Sequence, residues 1–285
     1  MTLKVRFAGD FAQDRKVPMG IMSHTLFYTE KAFERAYLDV QRNGLRKNEK
    51  MHSDDYARAV LLFENIEYSS VGFKFVELSS DLIPSVNRLI KSLLSSYEKA
   101  AQEGDLKLSD VKEQVITQRR ILEARGDSIV PSYANFVENP GGKILGDFGD
   151  RSINKYIDQA IVPIRKHEGD GIIEFSMKGD ELHTFSFNAF IAERFGKIIS
   201  HKTLGEPFIL SATLISADNN LKAKVYNTIS RRQMNVFFSD LDELVYFSPF
   251  IGRKGEQFQF IAAPVIESGT YDVTSGDVYF LKFMG

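Results

Sequence analysis

The chain has no cysteine and no tryptophan. Without thiols, disulfides, thiolate zinc sites and cysteine nucleophiles are all excluded. The missing tryptophan sits beside 23 phenylalanines, an oddity of composition to which no mechanism attaches. Charge of one sign is lacking too: 36 Lys and Arg face 38 Asp and Glu, for a net charge of -2. No whole-molecule field therefore draws the protein to nucleic acid or an anionic membrane, and any such binding must come from a local patch. No apolar run approaches the roughly 20 residues that cross a bilayer. The opening MTLKVRFAGDFAQD has no signal-peptide core. A soluble, cytoplasmic protein without membrane contact is expected.

What is present describes an ordinary globular chain, 43% hydrophobic and 26% charged over 285 residues. That length is enough for one large domain or two ordinary ones. The period of the apolar pattern changes near Gly196. From Ser80 to Lys166 apolar residues recur at helical spacing, and from Phe208 onward they alternate in short runs between turns. The expected fold is α+β. Residues 1–195 form a mixed helix and hairpin domain, and residues 196–285 form a small five-stranded β-barrel of the OB or SH3-like kind, with the boundary near Ala192 to Ser200.

Leu3, Val5 and Phe7 alternate with Lys4 and Arg6, predicting a strand with one buried face. A helix is expected over Thr25 to Asn43, with Thr29 as N-cap and Gly44 just past its end. Tyr56 to Ile66 is nearly continuous apolar sequence and predicts a buried strand, paired as a hairpin with Gly72 to Leu78. Leu82, Val86, Leu89, Ile90, Leu93, Leu94 and Tyr97 form one helical stripe, with Ser80 or Asp81 as cap and Pro84 in the first turn. Helices are also expected at Leu108 to Ala124, stopped by Gly126, and at Ser152 to Arg165. Asn135 to Asp150, rich in glycine, reads as a connector. Ile172 to Met177 and Leu182 to Phe187 predict another hairpin. The C-terminal part offers strands near residues 208–215, 221–226, 233–238, 257–263 and 278–283, with Asp240 capping a short helix over Leu241 to Phe247.

The hairpin at Gly72-Phe73, the helix pair after it, and the closing strands with Phe258-Gln259-Phe260 and Val278-Tyr279-Phe280 resemble an uncharacterised bacterial two-domain family found among mobile-element genes. The resemblance covers most of the chain and is one of pattern. It implies a mixed N-terminal domain and a closing barrel, and it assigns no activity to any residue.

Several short patterns evoke known chemistry without its context. Gly141-Gly142-Lys143 lacks the hydroxyl residue and preceding strand of a phosphate loop. Asp147-Phe148-Gly149 has no accompanying H-R-D loop, and there is no G-x-S-x-G elbow. The histidines, His24, His52, His167, His183 and His201, form no close pair at metal-ligand spacing, and neither metal nor cofactor is expected. Asp170, Glu174 and Lys178 offer an acidic pair with a lysine, the elements of a metal-dependent nuclease or phosphodiesterase. Their period-two placement also fits the solvated face of a strand. Arg42, Arg46, Lys47 and Lys50 gather where a helix C-terminus attracts cations.

The barrel surface is richer. Lys222, Lys224 and Tyr226 share one strand face, Arg231 and Arg232 occupy the following turn, and Phe237 lies on the next strand. Basic residues interleaved with aromatics are what single-stranded nucleic acid binding uses. The segment as a whole is balanced, with nine Lys or Arg against nine Asp or Glu in residues 196–285. The expectation is a non-enzymatic binding protein whose barrel contacts single-stranded nucleic acid or a protein partner, homo-oligomers included. The alternatives are the nuclease built on Asp170, Glu174 and Lys178, and an interaction subunit of a mobile-element or phage-defence complex.

Overall fold

The computed structural model describes residues 2–67, 71–77, 82–106, 108–125, 130–144, 146–166, 169–251, 253 and 255–284. The predicted caps at Ser80, Asp81 and Gly126, and also His167, lie outside these. The fold is mixed α+β. No helix among the described residues is long and apolar enough to cross a membrane. By contact the chain divides into two compact units, Met1–Leu106 with Asp147–Ser200, and Lys107–Gly146 with His201–Gly285.

The first unit is an antiparallel sheet under helices. Strands β1 (Thr2–Ala8), β2 (Leu61–Glu67), β3 (Val71–Glu77), β4 (Ile172–Lys178) and β5 (Leu182–Phe187) stand in the order β2-β3-β1-β4-β5. The alternation in β1 buries Leu3, Val5 and Phe7, and that in β4 buries Ile173, Phe175 and Met177. These side chains share one core with α1 (Met19–Gln41), α3 (Ile83–Ala101), α6 (Phe148–Ala160) and α8 (Ala189–Ser200), through Phe33, Leu89, Ile153 and Phe195 among others. The helix layer is tied by a buried ionic knot. Arg88 of α3 is bound by Asp39 of α1 and, at 2.5 Å, by Asp150 of α6. Asp39 also accepts the Leu45 N–H at 2.6 Å. Burial opposes the charge on Arg88, but Asp150 and Asp39 outweigh it and raise its hold on the proton. A Cβ at position 149 would stand 2.5 Å from the Asp39 carboxylate, so Asp147-Phe148-Gly149 opens a helix at a point where only glycine fits.

The second unit is built on a closed five-stranded barrel. Strands β7 (Phe208–Asp218), β8 (Lys222–Asn227) and β9 (Arg232–Phe237) form an antiparallel meander. Strand β11 (Val278–Phe283) runs parallel to β9, pairing Val278 with Val236. Strand β10 (Gln257–Glu267) lies antiparallel to both β11 and β7, which closes the ring. The short β6 (Lys202–Leu204) adds to β10 beyond the barrel. The interior holds Leu210, Val225, Val236, Phe260 and Phe280, all buried. One plug comes from α9 (Leu241–Val245), capped as expected by Asp240, which accepts the Glu243 N–H at 2.9 Å. The chain then turns Phe247 into a cage of Phe238, Phe258, Phe260 and Phe280. A second plug is α5 (Tyr133–Glu138), where Phe136 stacks on Phe208 at 4.4 Å between centroids.

Helix α4 (Val111–Arg125) covers part of the barrel exterior. Val115 and Leu122 pack on outward side chains of β10 and β11, namely Ile261, Ala263, Val265, Tyr279 and Leu281. This gives β10 two apolar faces and explains its unbroken burial from Phe260 to Ile266.

Several expectations are corrected. Tyr56 to Ile66 is not one buried strand: α2 (Ser53–Arg58) takes its start, and β2 is an edge strand with Leu62 and Phe63 exposed. Asn135 to Asp150 contains most of α5 and the start of α6, while Ser152 to Arg165 is split, α6 ending at Ala160 and α7 being Val162–Arg165. Thr29 caps nothing; it lies inside α1, buried, its hydroxyl donating to Thr25 O at 2.7 Å. The region Ala192 to Ser200 forms most of α8, and the division between the units falls at its end, between Ser200 and His201. Residues 107–146, which the period reading groups with 1–195, pack with 201–285.

Truncating Phe247 to alanine is expected to cost about 3–5 kcal/mol of stability, a large-to-small change in a full cage. Arg88→Met should cost about 3–5 kcal/mol, because it leaves Asp39 buried beside an apolar side chain. Denaturant titrations of the two variants measure both, and a loss below about 1 kcal/mol in either would contradict the packing described.

Candidate nucleic-acid interface

With β10 and β11 under α4, the open exterior of the barrel is carried mainly by β7 and β8. Burial in β8 alternates, Ala223, Val225 and Asn227 inward and Lys222, Lys224 and Tyr226 outward. The register sets Tyr226 between Thr213 of β7 and Gln233 of β9, and Lys224 between Ser216 and Asn235. Gln259 of β10 extends the polar face by donating from Nε2 to Ser211 Oγ at 2.9 Å. These are hydrogen-bonding side chains on a surface where α4 demands apolar ones elsewhere.

The β8–β9 turn is shaped by Asn227. Its buried carboxamide oxygen accepts the N–H of Ile229 at 2.8 Å and of Ser230 at 3.1 Å. Arg231 then adopts φ 55°, left-handed backbone that costs a non-glycine residue about 1–2 kcal/mol. Both Arg231 and Arg232 are exposed at the barrel end. Lys222, Lys224, Arg231 and Arg232 have no carboxylate partner among the described residues. A segment neutral in total thus carries four cations without carboxylate partners along β8 and the β8–β9 turn, of which Lys222 and Lys224 share the outward face with the exposed Tyr226.

Phe237 behaves differently from Tyr226. It is half-buried against the α4 layer, and Lys202 Nζ stands 5.6 Å from its ring centroid. Its ring is a packing element. Asn235 is engaged as well, donating from Nδ2 to Asp277 Oδ1 at 2.7 Å. What the sequence pattern does not reveal is the polar extension through Ser211, Thr213, Gln257 and Gln259, since strand order alone brings β10 and β7 beside β8.

The other sequence candidates are placed as follows. Glu174 and Lys178 are four residues apart on β4, about 13 Å along a strand, and do not converge. Glu174 is bound at 3.4 Å by Arg6 on β1, and the Asp170 N–H donates to Asp10 Oδ2 at 3.0 Å. Among the described residues no three His, Asp or Glu side chains gather as a metal site would require. His24 Nε2 bonds Gln159 O at 2.8 Å, a structural contact. In the basic segment after α1, Arg42 pairs with Glu49 at 2.8 Å and Asp55 at 2.9 Å. Lys143 of the glycine-lysine tripeptide donates to Leu204 O at 2.8 Å. No family model, curated protein or solved structure matches the chain.

Alanine at Tyr226 is expected to change stability by less than about 0.5 kcal/mol, since the ring is exposed. Alanine at Phe237 should cost about 1–3 kcal/mol through the packing it loses. Equal losses in urea titrations of the two variants would contradict the different placement of these rings.

Proposed function

We propose that the barrel is an OB-type module and that the protein is a non-enzymatic binder of single-stranded nucleic acid, held across the outer face of β7, β8 and the start of β9. The OB assignment is supported by the ring order β7-β8-β9-β11-β10, by the parallel pairing of β9 with β11, and by a plugging helix between the third and fourth barrel strands. The ligand class is supported by one observation above others. Four cations without carboxylate partners lie on the half of the barrel that α4 leaves open, Lys222 and Lys224 on the outward face of β8 with the exposed Tyr226, and Arg231 and Arg232 at the barrel end beyond it. Cations attract the phosphate backbone, the tyrosine ring supplies a stacking platform, and the polar side chains of β7, β9 and β10 bond the exposed edges of unpaired bases.

In this reading Lys222, Lys224, Arg231 and Arg232 contact phosphates, and Tyr226 stacks. Phe237 supports the platform from its place under α4. Arg231 is the most telling of the set. Glycine would hold its left-handed turn at lower cost, so the arginine contributes charge at the expense of stability.

Titration of labelled oligonucleotides at several salt concentrations tests the reading. Affinity should fall steeply with salt, and each lost phosphate contact should flatten the slope by about 0.7. Tyr226→Ala should cost about 1–3 kcal/mol of binding with the slope unchanged. Arg231→Gly should move two quantities in opposite directions, weakening binding while raising stability by up to about 1–2 kcal/mol. Absence of binding at low salt removes nucleic acid and leaves the protein-partner reading of the same surface.

A further inference from the structure

A second concavity lies on the other flank of the same unit, where α4 faces the segments at residues 130–131 and 205–207. It encloses about 660 Å³, within the range of small-molecule sites. Its apolar wall is made by Ile121, Val130, Pro131 and Pro207, and its charged side by Asp110, Glu113 and Glu206. The α4 helix is locked here by two glutamines one turn apart. Gln114 Oε1 accepts the Leu204 N–H at 2.8 Å, and Gln118 Nε2 donates to Gly205 O at 2.7 Å. These bonds satisfy the outer edge of β6 and hold the groove open as a fixed shape. They also leave the amide oxygen of Gln118 buried and without a donor.

The charge balance is one-sided. Lys143 is the lone cation among the lining residues, and its ammonium is directed onto a backbone carbonyl, Leu204 O. Asp110, Glu113 and Glu206 have no cationic partner among the described residues. Three carboxylates against one engaged ammonium, beside an apolar wall, define the ligand by complementarity. We propose that this groove binds a small organic cation with an apolar body, a primary ammonium on an aryl or alkyl frame. The apolar body lies against Ile121 and Pro207. The ammonium pairs with Glu113 or Glu206 on the charged side, while the Asp110 carboxylate already accepts the Lys112 N–H at 2.7 Å. The site is separate from the cationic face on β8 and does not depend on it.

The test uses the full chain and three probes of one shape: 2-phenylethylammonium, 2-phenylethanol and 3-phenylpropionate. Calorimetry at low salt should show saturable binding of the ammonium. The alcohol should bind about fivefold more weakly and the carboxylate not measurably. The double variant Glu113→Gln, Glu206→Gln should reduce ammonium affinity about fivefold and leave the alcohol unchanged, as expected for partly exposed ion pairs. Thr117→Trp, at an exposed position in the groove, should abolish binding of both. No saturable ammonium binding, equal affinity for the three probes, or an ammonium affinity indifferent to the double variant would each overturn the proposal.

Discussion

The two-sided burial of β10 governs the rest of the second unit. Its inward residues, Phe258, Phe260 and Ala262, belong to the barrel core. Its outward residues, Ile261, Ala263 and Val265, require a cover, and α4 supplies it. A barrel covered on one side has only part of its exterior left for a ligand. Which strands remain open follows from the ring order, because β10 and β11 are neighbours and β7 and β8 lie beyond them. Lys222, Lys224 and Tyr226 on β8 therefore lie on the half of the exterior that α4 leaves uncovered.

Chemistry on the two exterior halves is divided accordingly. Under α4 the residues are apolar, and the few polar ones tie elements together, as when Arg119 of α4 donates to Phe280 O at 3.0 Å and also binds Glu243. On the open half most exposed side chains are hydrogen-bonding or cationic, with Ile215 of β7 and Ile229 of the β8–β9 turn exposed among them. The first unit shows the contrasting economy. Its charges are largely spent on one another, Arg88 with Asp39 and Asp150, Arg42 with Glu49 and Asp55, Arg165 with Asp158. Uncompensated positive charge on the barrel stands out against that background.

Period-two patterns were the most legible part of the sequence. In β1, β4 and β8 each residue's face can be read directly, since one face is buried and the other is not. The strand pattern also implied a barrel, while ring closure needed the parallel pairing of β9 with β11, a long-range contact that no local signal encodes. The short helix α5 escaped notice for a related reason, whereas α9 was marked by its cap at Asp240. The six residues of α5 complete less than two turns, too few to show a period, and its cap at Ser132 lies in glycine- and proline-rich surroundings. The amphipathic face of α4 says that Val115 and Leu122 need a partner but not which partner. Of the candidate site, the cations were visible as residues. Whether each is free or paired is a property of the neighbours that folding brings, and the half-buried ring of Phe237 shows how that differs between two aromatics on adjoining strands.

The interleaving of the two units has a consequence for synthesis on the ribosome. Residues 107–146 leave the exit tunnel before 147–200, yet they belong with strands made later still. The first unit completes itself once α8 has emerged. Helices α4 and α5 must then persist without their cover until β11 arrives, on the order of ten seconds at ordinary elongation rates. During that interval Val115, Leu122, Tyr133 and Phe136 have no barrel to bury them. The nascent chain is therefore most open to chaperone capture, and to mispairing with another copy, after the first unit is finished and before the last strand is made.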